Sequence, residues 1–297
     1  MKKITVVLAI TVVLSLLSGC GVTVHPAYSS SVSVSSSNSF SNLSIPCPLI
    51  ENAVLYDDET VTITVSGMEY NKSFMTYVVK MEIQNHSDRT ISYYLNRVDV
   101  NGYTISALLA ADIYGGMSAD ADFGFPVDEL KLAGIKNIQQ ITFTLTCLYD
   151  ETDEIICEIT PTLKTSDDGA YAETYEFLGD EVYSTEEYTV LVKPNSSPSI
   201  KHPIIIYVEN NTDVPLIIMY DDIALNNKMV FTTMSGPYVL PHSHRVEEIM
   251  LTFFGEEPDS DKITSFTSGL SICPYRIAGS FSTGDTIEVP PFTVSFS

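Results

Sequence analysis

Six consecutive residues, Val61-Thr62-Ile63-Thr64-Val65-Ser66, alternate apolar with small polar side chains. A period of two puts Val61, Ile63 and Val65 on one face of a strand and the hydroxyls on the other, so the segment predicts a half-buried antiparallel strand. Residues 77–83 are rich in Val, Tyr, Met and Ile and predict a second strand. Residues 90–100 predict a third, ending at Asn101-Gly102 before Tyr103-Thr104-Ile105. Asn-Gly between two β-rich runs predicts a type I′ hairpin, because that turn needs positive φ at both central residues. Residues 119–125 form a weaker strand, and residues 127–133 predict one or two helical turns stopped by Gly134. The stretch Ile141-Thr142-Phe143-Thr144-Leu145-Thr146-Cys147 alternates again, and Ile155, Cys157 and Ile159 alternate on a return strand beyond an acidic turn at 150–154.

The pattern then starts over at an offset of 125 residues. Asn85-His86-Ser87-Asp88 aligns with Asn210-Asn211-Thr212-Asp213, and Asn101-Gly102 aligns with Asn226-Asn227. Ile138, Ile141, Leu145 and Cys147 align with Ile263, Phe266, Leu270 and Ile272. Chance could give any one of these matches; all of them at one offset indicate duplication. Two units are too few for a solenoid, which needs at least three. Short strands with turn signals every 8–12 residues predict an all-β fold of two tandem immunoglobulin-like β-sandwich domains. The boundaries read as 49–165 for the first domain, 166–180 for a linker with room for a short helix, and 181–297 for the second domain.

The first 48 residues have a different texture. Lys2 and Lys3 precede an apolar run of 14 residues, Ile4 to Leu17, which is short of the ~20 a spanning helix needs. A charged start, a short apolar run and small residues at a cleavage point mark a secretory signal peptide over 1–19. Leu17-Ser18-Gly19-Cys20 resembles a bacterial lipobox, and that resemblance implies cleavage before Cys20 and lipidation of its thiol. Two or more acyl chains would make a lasting anchor, since each buried CH2 contributes ~0.8 kcal/mol. Residues 20–48 predict a flexible, disordered stalk: from 29 to 44, 10 of 16 residues are Ser, too polar to bury a core.

The whole resembles the tandem immunoglobulin-like surface lipoproteins of Gram-positive bacteria. The resemblance rests on the lipobox, the Ser-rich stalk and the segment from Glu82-Ile83-Gln84-Asn85-His86-Ser87-Asp88 to Val98-Asp99-Val100-Asn101-Gly102. It implies an extracytoplasmic, membrane-anchored protein and no particular activity. The chain has no Trp, so the Cys…Trp…Cys core of antibody domains is absent.

Charge narrows the partners. The net charge is −23, and loss of Lys2 and Lys3 with the leader leaves 13 basic against 38 acidic residues, −25. Such a surface repels nucleic acid and anionic headgroups, so nucleic acid is excluded and the membrane is met only through Cys20. An envelope or extracellular protein, or a wall polymer, remains as partner.

Candidate chemistry is sparse. His242 and His244 form the one close histidine pair; on a strand both rings would share a face and, with Glu247 and Glu248 nearby, could grip a metal. An exposed turn is the competing reading. Two acidic clusters, Asp150, Glu151, Asp153, Glu154 and Glu256, Glu257, Asp259, Asp261, lack the spacing of a calcium loop. No G-x-S-x-G elbow and no glycine-rich phosphate loop occurs, and no cofactor is expected. Cys147 and Cys157 flank Thr152 at equal distance on the apolar faces of their strands, so a hairpin there sets them opposite one another, either bonded or as two buried thiols. The first reading of function is a non-enzymatic binding or adhesion module. The alternatives are an envelope metal-binding or hydrolytic lipoprotein using His242 and His244, and a structural spacer.

Overall fold

The computed structural model describes residues 45–169, 176–195, 203–232, 236–253, 263–276, 280–281 and 286–296. The leader, Cys20, most of the Ser-rich stretch, the middle of the expected linker and the acidic cluster at Glu256, Glu257, Asp259 and Asp261 lie outside the described residues. The described part belongs to one compact unit, Ser44–Ser297. It is all-β, with one short helix among the described residues.

The first half holds β1 (Ala53–Asp57), β2 (Val61–Asn71), β3 (Thr76–Asn85), β4 (Ile91–Val100), β5 (Tyr103–Ile113), β6 (Ser118–Asp120) and β7 (Phe123–Pro126). The helix α1 (Val127–Leu132) follows, then β8 (Gln140–Phe143), β9 (Leu145–Tyr149), β10 (Glu154–Ile159) and β11 (Thr162–Lys164). The second half holds β12 (Asp180–Ser184), β13 (Tyr188–Pro194), β14 (Ile204–Asn210), β15 (Leu216–Leu225), β16 (Lys228–Met229) and β17 (Tyr238–Val239). It closes with β18 (Ser243–Ile249), β19 (Ser265–Arg276), β20 (Ser280–Phe281) and β21 (Ile287–Ser295).

The alternation seen in the sequence becomes burial. On β2, Val61, Ile63 and Val65 are fully buried, and along β3 every second residue from Tyr77 is buried. These side chains share one core with Ile91, Tyr93 and Leu95 of β4 and Ile141 and Phe143 of β8. One sheet, β1-β2-β3 with β6 and β7 on β3, thus packs over a second built on β4, β5 and β8 to β11, giving a sandwich. In the second half, Val190 and Val192 of β13 and Ile206 and Val208 of β14 share a core with Leu216 and Ile218 of β15 and Phe266 and Ile272 of β19.

The two halves repeat the same local devices. Val61 pairs with Asn85 as Tyr188 pairs with Asn210. Asn101 and Gly102 have φ of 54° and 87°, and Asn226 and Asn227 have 50° and 62°. The Asn101 Oδ1 accepts from the amides of Gln139 (2.8 Å) and Gln140 (3.1 Å); the Asn226 Oδ1 accepts from those of Thr264 (2.7 Å) and Ser265 (3.1 Å).

The halves are joined closely. β5 and β18 meet in parallel at Tyr103 and His244, so strands of both halves form one ten-stranded sheet. All of Ile204, Ile205 and Ile206 are buried, because Ile205 faces the first half's core while its neighbours face the second's. Arg245, 5% exposed, donates from Nη1 to the Thr104 carbonyl (2.9 Å) and Glu129 (2.5 Å), and from Nη2 to Glu247 (3.0 Å). Burial alone would weaken its basicity; Glu129 and Glu247 more than offset this. Phe177, within the expected linker, is buried and stacks on Tyr207 at 5.4 Å between centroids. Among the described residues the two halves meet in a packed seam. Ile45 is likewise buried, and the Tyr77 hydroxyl donates to its carbonyl, so the packed body begins within the residues expected to be stalk.

Candidate functional site

The loops at one end of the first half are built into a continuous surface. Four of them, around residues 57–60, 86–90, 114–117 and 150–153, are bonded to one another through the main chain. His86 N donates to Thr60 O (2.8 Å), Gly116 N to Ser87 O (2.9 Å), and Asp150 N to Thr90 O (3.2 Å). Gly115 lies so close to the neighbouring loop that an added Cβ would sit 2.5 Å from the Asp88 carbonyl carbon, so only glycine allows the approach. Gly116 has φ of +71° and turns the chain back into β6.

Side chains brace this frame as well. Asp58 Oδ1 accepts from Thr60 N (2.7 Å) and Val61 N (2.8 Å), and Oδ2 accepts from the Tyr56 hydroxyl (2.7 Å). Burial opposes the charge on Asp58, but these donors outweigh it and hold its carboxyl below the usual value. The bond to Asp58 pushes the Tyr56 phenol up to about 12. The Thr62 hydroxyl donates to Asp57 (2.6 Å) and accepts from His86 Nε2 (2.8 Å). The Arg89 guanidinium lies 3.6 Å from the centre of the Tyr149 ring and donates to Thr152 (3.1 Å). Against this braced, acidic background Tyr114 and Met117 stand out, 67% and 58% exposed. Neither was singled out by sequence reasoning; the signal that could have found them is the Gly115-Gly116 pair between them, a turn mark next to an aromatic residue.

The histidine pair is placed differently from a strand face. His242 has φ of 50° and forms the turn before β18, so the alternation of a strand does not reach it. Its amide donates to Thr212 O (3.3 Å), as that of Gly116 donates to Ser87 O; it is the second half's counterpart of Gly116. Its ring is mostly exposed, with Nε2 2.7 Å from Asp213. His244 lies in β18, its ring 5.2 Å from that of Tyr103 and 5.7 Å from that of Tyr207, whose hydroxyl is 2.8 Å from Nδ1. Burial lowers the pKa of His244 and raises that of the Tyr207 phenol, so burial favours the neutral form of both. Glu247 bonds to Arg245, and Glu248 accepts from Asn195 (3.0 Å). The two rings thus have separate partners, and among the described residues no group of three or more His, Cys, Asp or Glu is placed to hold a metal ion.

Cys147 and Cys157 are direct partners across β9 and β10 and are both buried, with free thiols. The acidic turn at 150–154 closes that hairpin, with Asp153 at φ of 55°. A shallow polar groove of about 310 Å³ also lies on the outer face of the first sheet, lined by Asn52, Thr64, Ser66, Lys80, Glu82 and Asp122. Its one cation is engaged within it: Lys80 bonds to Asp122, with Glu69 at 3.7 Å.

No family model matches the chain, and no curated protein matches it.

Proposed function

We propose that the chain is a membrane-anchored extracytoplasmic binding protein, lipidated at Cys20, in which two immunoglobulin-like sandwiches stand on a Ser-rich stalk. The first half would meet an envelope or extracellular protein, or a wall polymer, through its loop end. The observation that carries this reading is the surface of four interlocked loops, with Tyr114 and Met117 exposed among acidic side chains. Large side chains presented on a rigid, polar-rimmed frame are what binding surfaces use. The chain enters the described body at Ile45, beside Tyr77, at the far end of β2 from these loops. Eleven residues of strand separate the two ends, roughly 35 Å at ~3.3 Å per residue.

Envelope extract passed over the full chain and over a Tyr114→Ala/Met117→Ala variant tests the surface. Both side chains are exposed, so the variant should melt like the parent and lose most of the captured material. Equal capture by both would move binding elsewhere on the body. Cell fractionation tests the anchor: release into the medium, unchanged by Cys20→Ala, would remove it.

A further inference from the structure

The register between β9 and β10 sets Cys147 directly opposite Cys157, with Ile156 bulged out beside them. Both side chains lie buried in the first half's core. Neither Cys47, which is exposed, nor Cys273, which sits on β19 across from Ile217, belongs to this pair. The second half shows what the position otherwise holds. There Ile272, the counterpart of Cys147, is paired across the sheet with Ile287. An apolar pair fills the site in one copy and a pair of thiols fills it in the other. A single cysteine would fill the space as a small hydrophobe, but two on facing positions form a reactive unit.

We propose that Cys147 and Cys157 are a redox pair that closes into a cross-strand disulfide by exchange with a protein or small-molecule disulfide. Directly opposed residues have Cβ atoms ~4.5–5.5 Å apart, and a disulfide needs ~3.5–4.5 Å, a difference the adjacent bulge can absorb. With the hairpin open either thiol can start the exchange as its thiolate, Cys157 for instance. Its sulfur bonds to one sulfur of the oxidant disulfide, and the other sulfur leaves as a thiolate. Cys147 then loses its proton and attacks the Cys157 sulfur of the mixed disulfide, and the oxidant's second sulfur leaves as a thiolate. The pair gives up two electrons and two protons, and the oxidant is reduced to two thiols. At this degree of burial the exchange occurs while the hairpin is open, during folding. Closure in cells rests on the exported location proposed above; the chemistry does not.

The full chain, reduced and refolded from urea with oxidised glutathione, then alkylated in denaturant and digested without reductant, gives a direct reading by mass spectrometry. We expect a linked peptide pair joining Cys147 to Cys157, with Cys47 and Cys273 alkylated. The oxidised chain should melt several degrees above the reduced one, because the closed loop restricts the unfolded state. In a Cys147→Val/Cys157→Val variant, which copies the apolar pair of the second half, that difference should vanish. Separate alkylation of both cysteines, a bond to Cys47 or Cys273 instead, or an equal rise in the double variant would each overturn the proposal. A bond that forms in vitro but is absent from protein isolated from its own cells would support the pair and count against export.

Discussion

Asn85 and Asn210, 125 residues apart, hold the chain in the same way. Asn85 Nδ2 donates to Arg89 O (2.7 Å) and Ile113 O (2.9 Å); Asn210 Nδ2 donates to Val214 O (2.9 Å) and Leu240 O (3.0 Å). The Asn85 Oδ1 accepts from the amide (3.0 Å) and hydroxyl (2.7 Å) of Ser87, and the Asn210 Oδ1 from those of Thr212 (3.1 and 2.8 Å). Both amides are buried. Each ties the end of one strand, β3 or β14, to the start of the next and to a third segment.

Asn85→Ala and Asn210→Ala should therefore cost alike. Each leaves two main-chain carbonyls without this donor, and buried groups so orphaned cost ~1–3 kcal/mol each before relaxation. We expect each variant to lose about 2–4 kcal/mol in urea unfolding. Because the body is one compact unit, both losses should appear in a single transition. A silent variant at either site would show that the two networks are not equivalent in energy.

Arg245 is held between Glu129 and Glu247 at the seam. Arg245→Ala strands two largely buried carboxylates and should destabilise by about 3–5 kcal/mol. Glu247, already pushed up by burial despite Arg245, should then take up a proton more readily. Replacing all three charges together, as Arg245→Met with Glu129→Leu and Glu247→Leu, should recover most of the loss. Chemical denaturation of the single and triple variants decides it; a triple variant no better than Arg245→Ala would show that the seam depends on polar geometry.

His244 makes the seam sensitive to acid. Burial lowers its pKa below the ordinary 6.5, with Glu209 and Asp99 opposing. The folded chain therefore binds this proton less readily than the unfolded chain. Between the lowered value and 6.5 the unfolded state holds more protons, so stability rises with pH. The contribution is whole above 6.5 and is lost as pH falls through the folded value. Asp99, whose carboxyl burial pushes up, acts with the opposite sign, gaining stability as it protonates at lower pH. Melting temperatures from about pH 5 to 7 should rise for the parent and flatten for His244→Phe. Parallel curves would assign the slope to other groups.

Gly102 occupies a left-handed position at φ of +87°, with nothing nearer than His244 Cδ2 at 4.0 Å to an added Cβ. Space is available, so the cost of Gly102→Val is backbone strain, on the order of 1–2 kcal/mol. An unchanged melting temperature would show that the turn relaxes to another type.

Much of this body was legible wherever a period of two met a one-sided core. Val61 to Ser66 alternates because one face of β2 is buried, and Asn101-Gly102 announces its turn because few residues tolerate positive φ. The seam was hidden for the same physical reason. Glu129 and Arg245 stand 116 residues apart, and nothing local to either says that it has a partner. The run Ile204-Ile205-Ile206 carried a trace of it, since a strand buried on both faces loses its alternation. His242 misled because a histidine at φ of 50° sits where the first half has glycine. Tyr114 and Met117 were invisible as a surface because four loops, distant in sequence, must first be brought together.

The meeting of β5 and β18 also bears on how the chain can be divided. Each would be the raw margin of its own sheet if the halves were separated, with unpaired amides and carbonyls ready to recruit another molecule. Apposed, they meet at the pair Tyr103 and His244. A fragment ending near residue 169, or beginning near residue 176, would carry an open margin into solution and pair with its own copies. Cutting the chain between the halves should therefore cost solubility as well as stability.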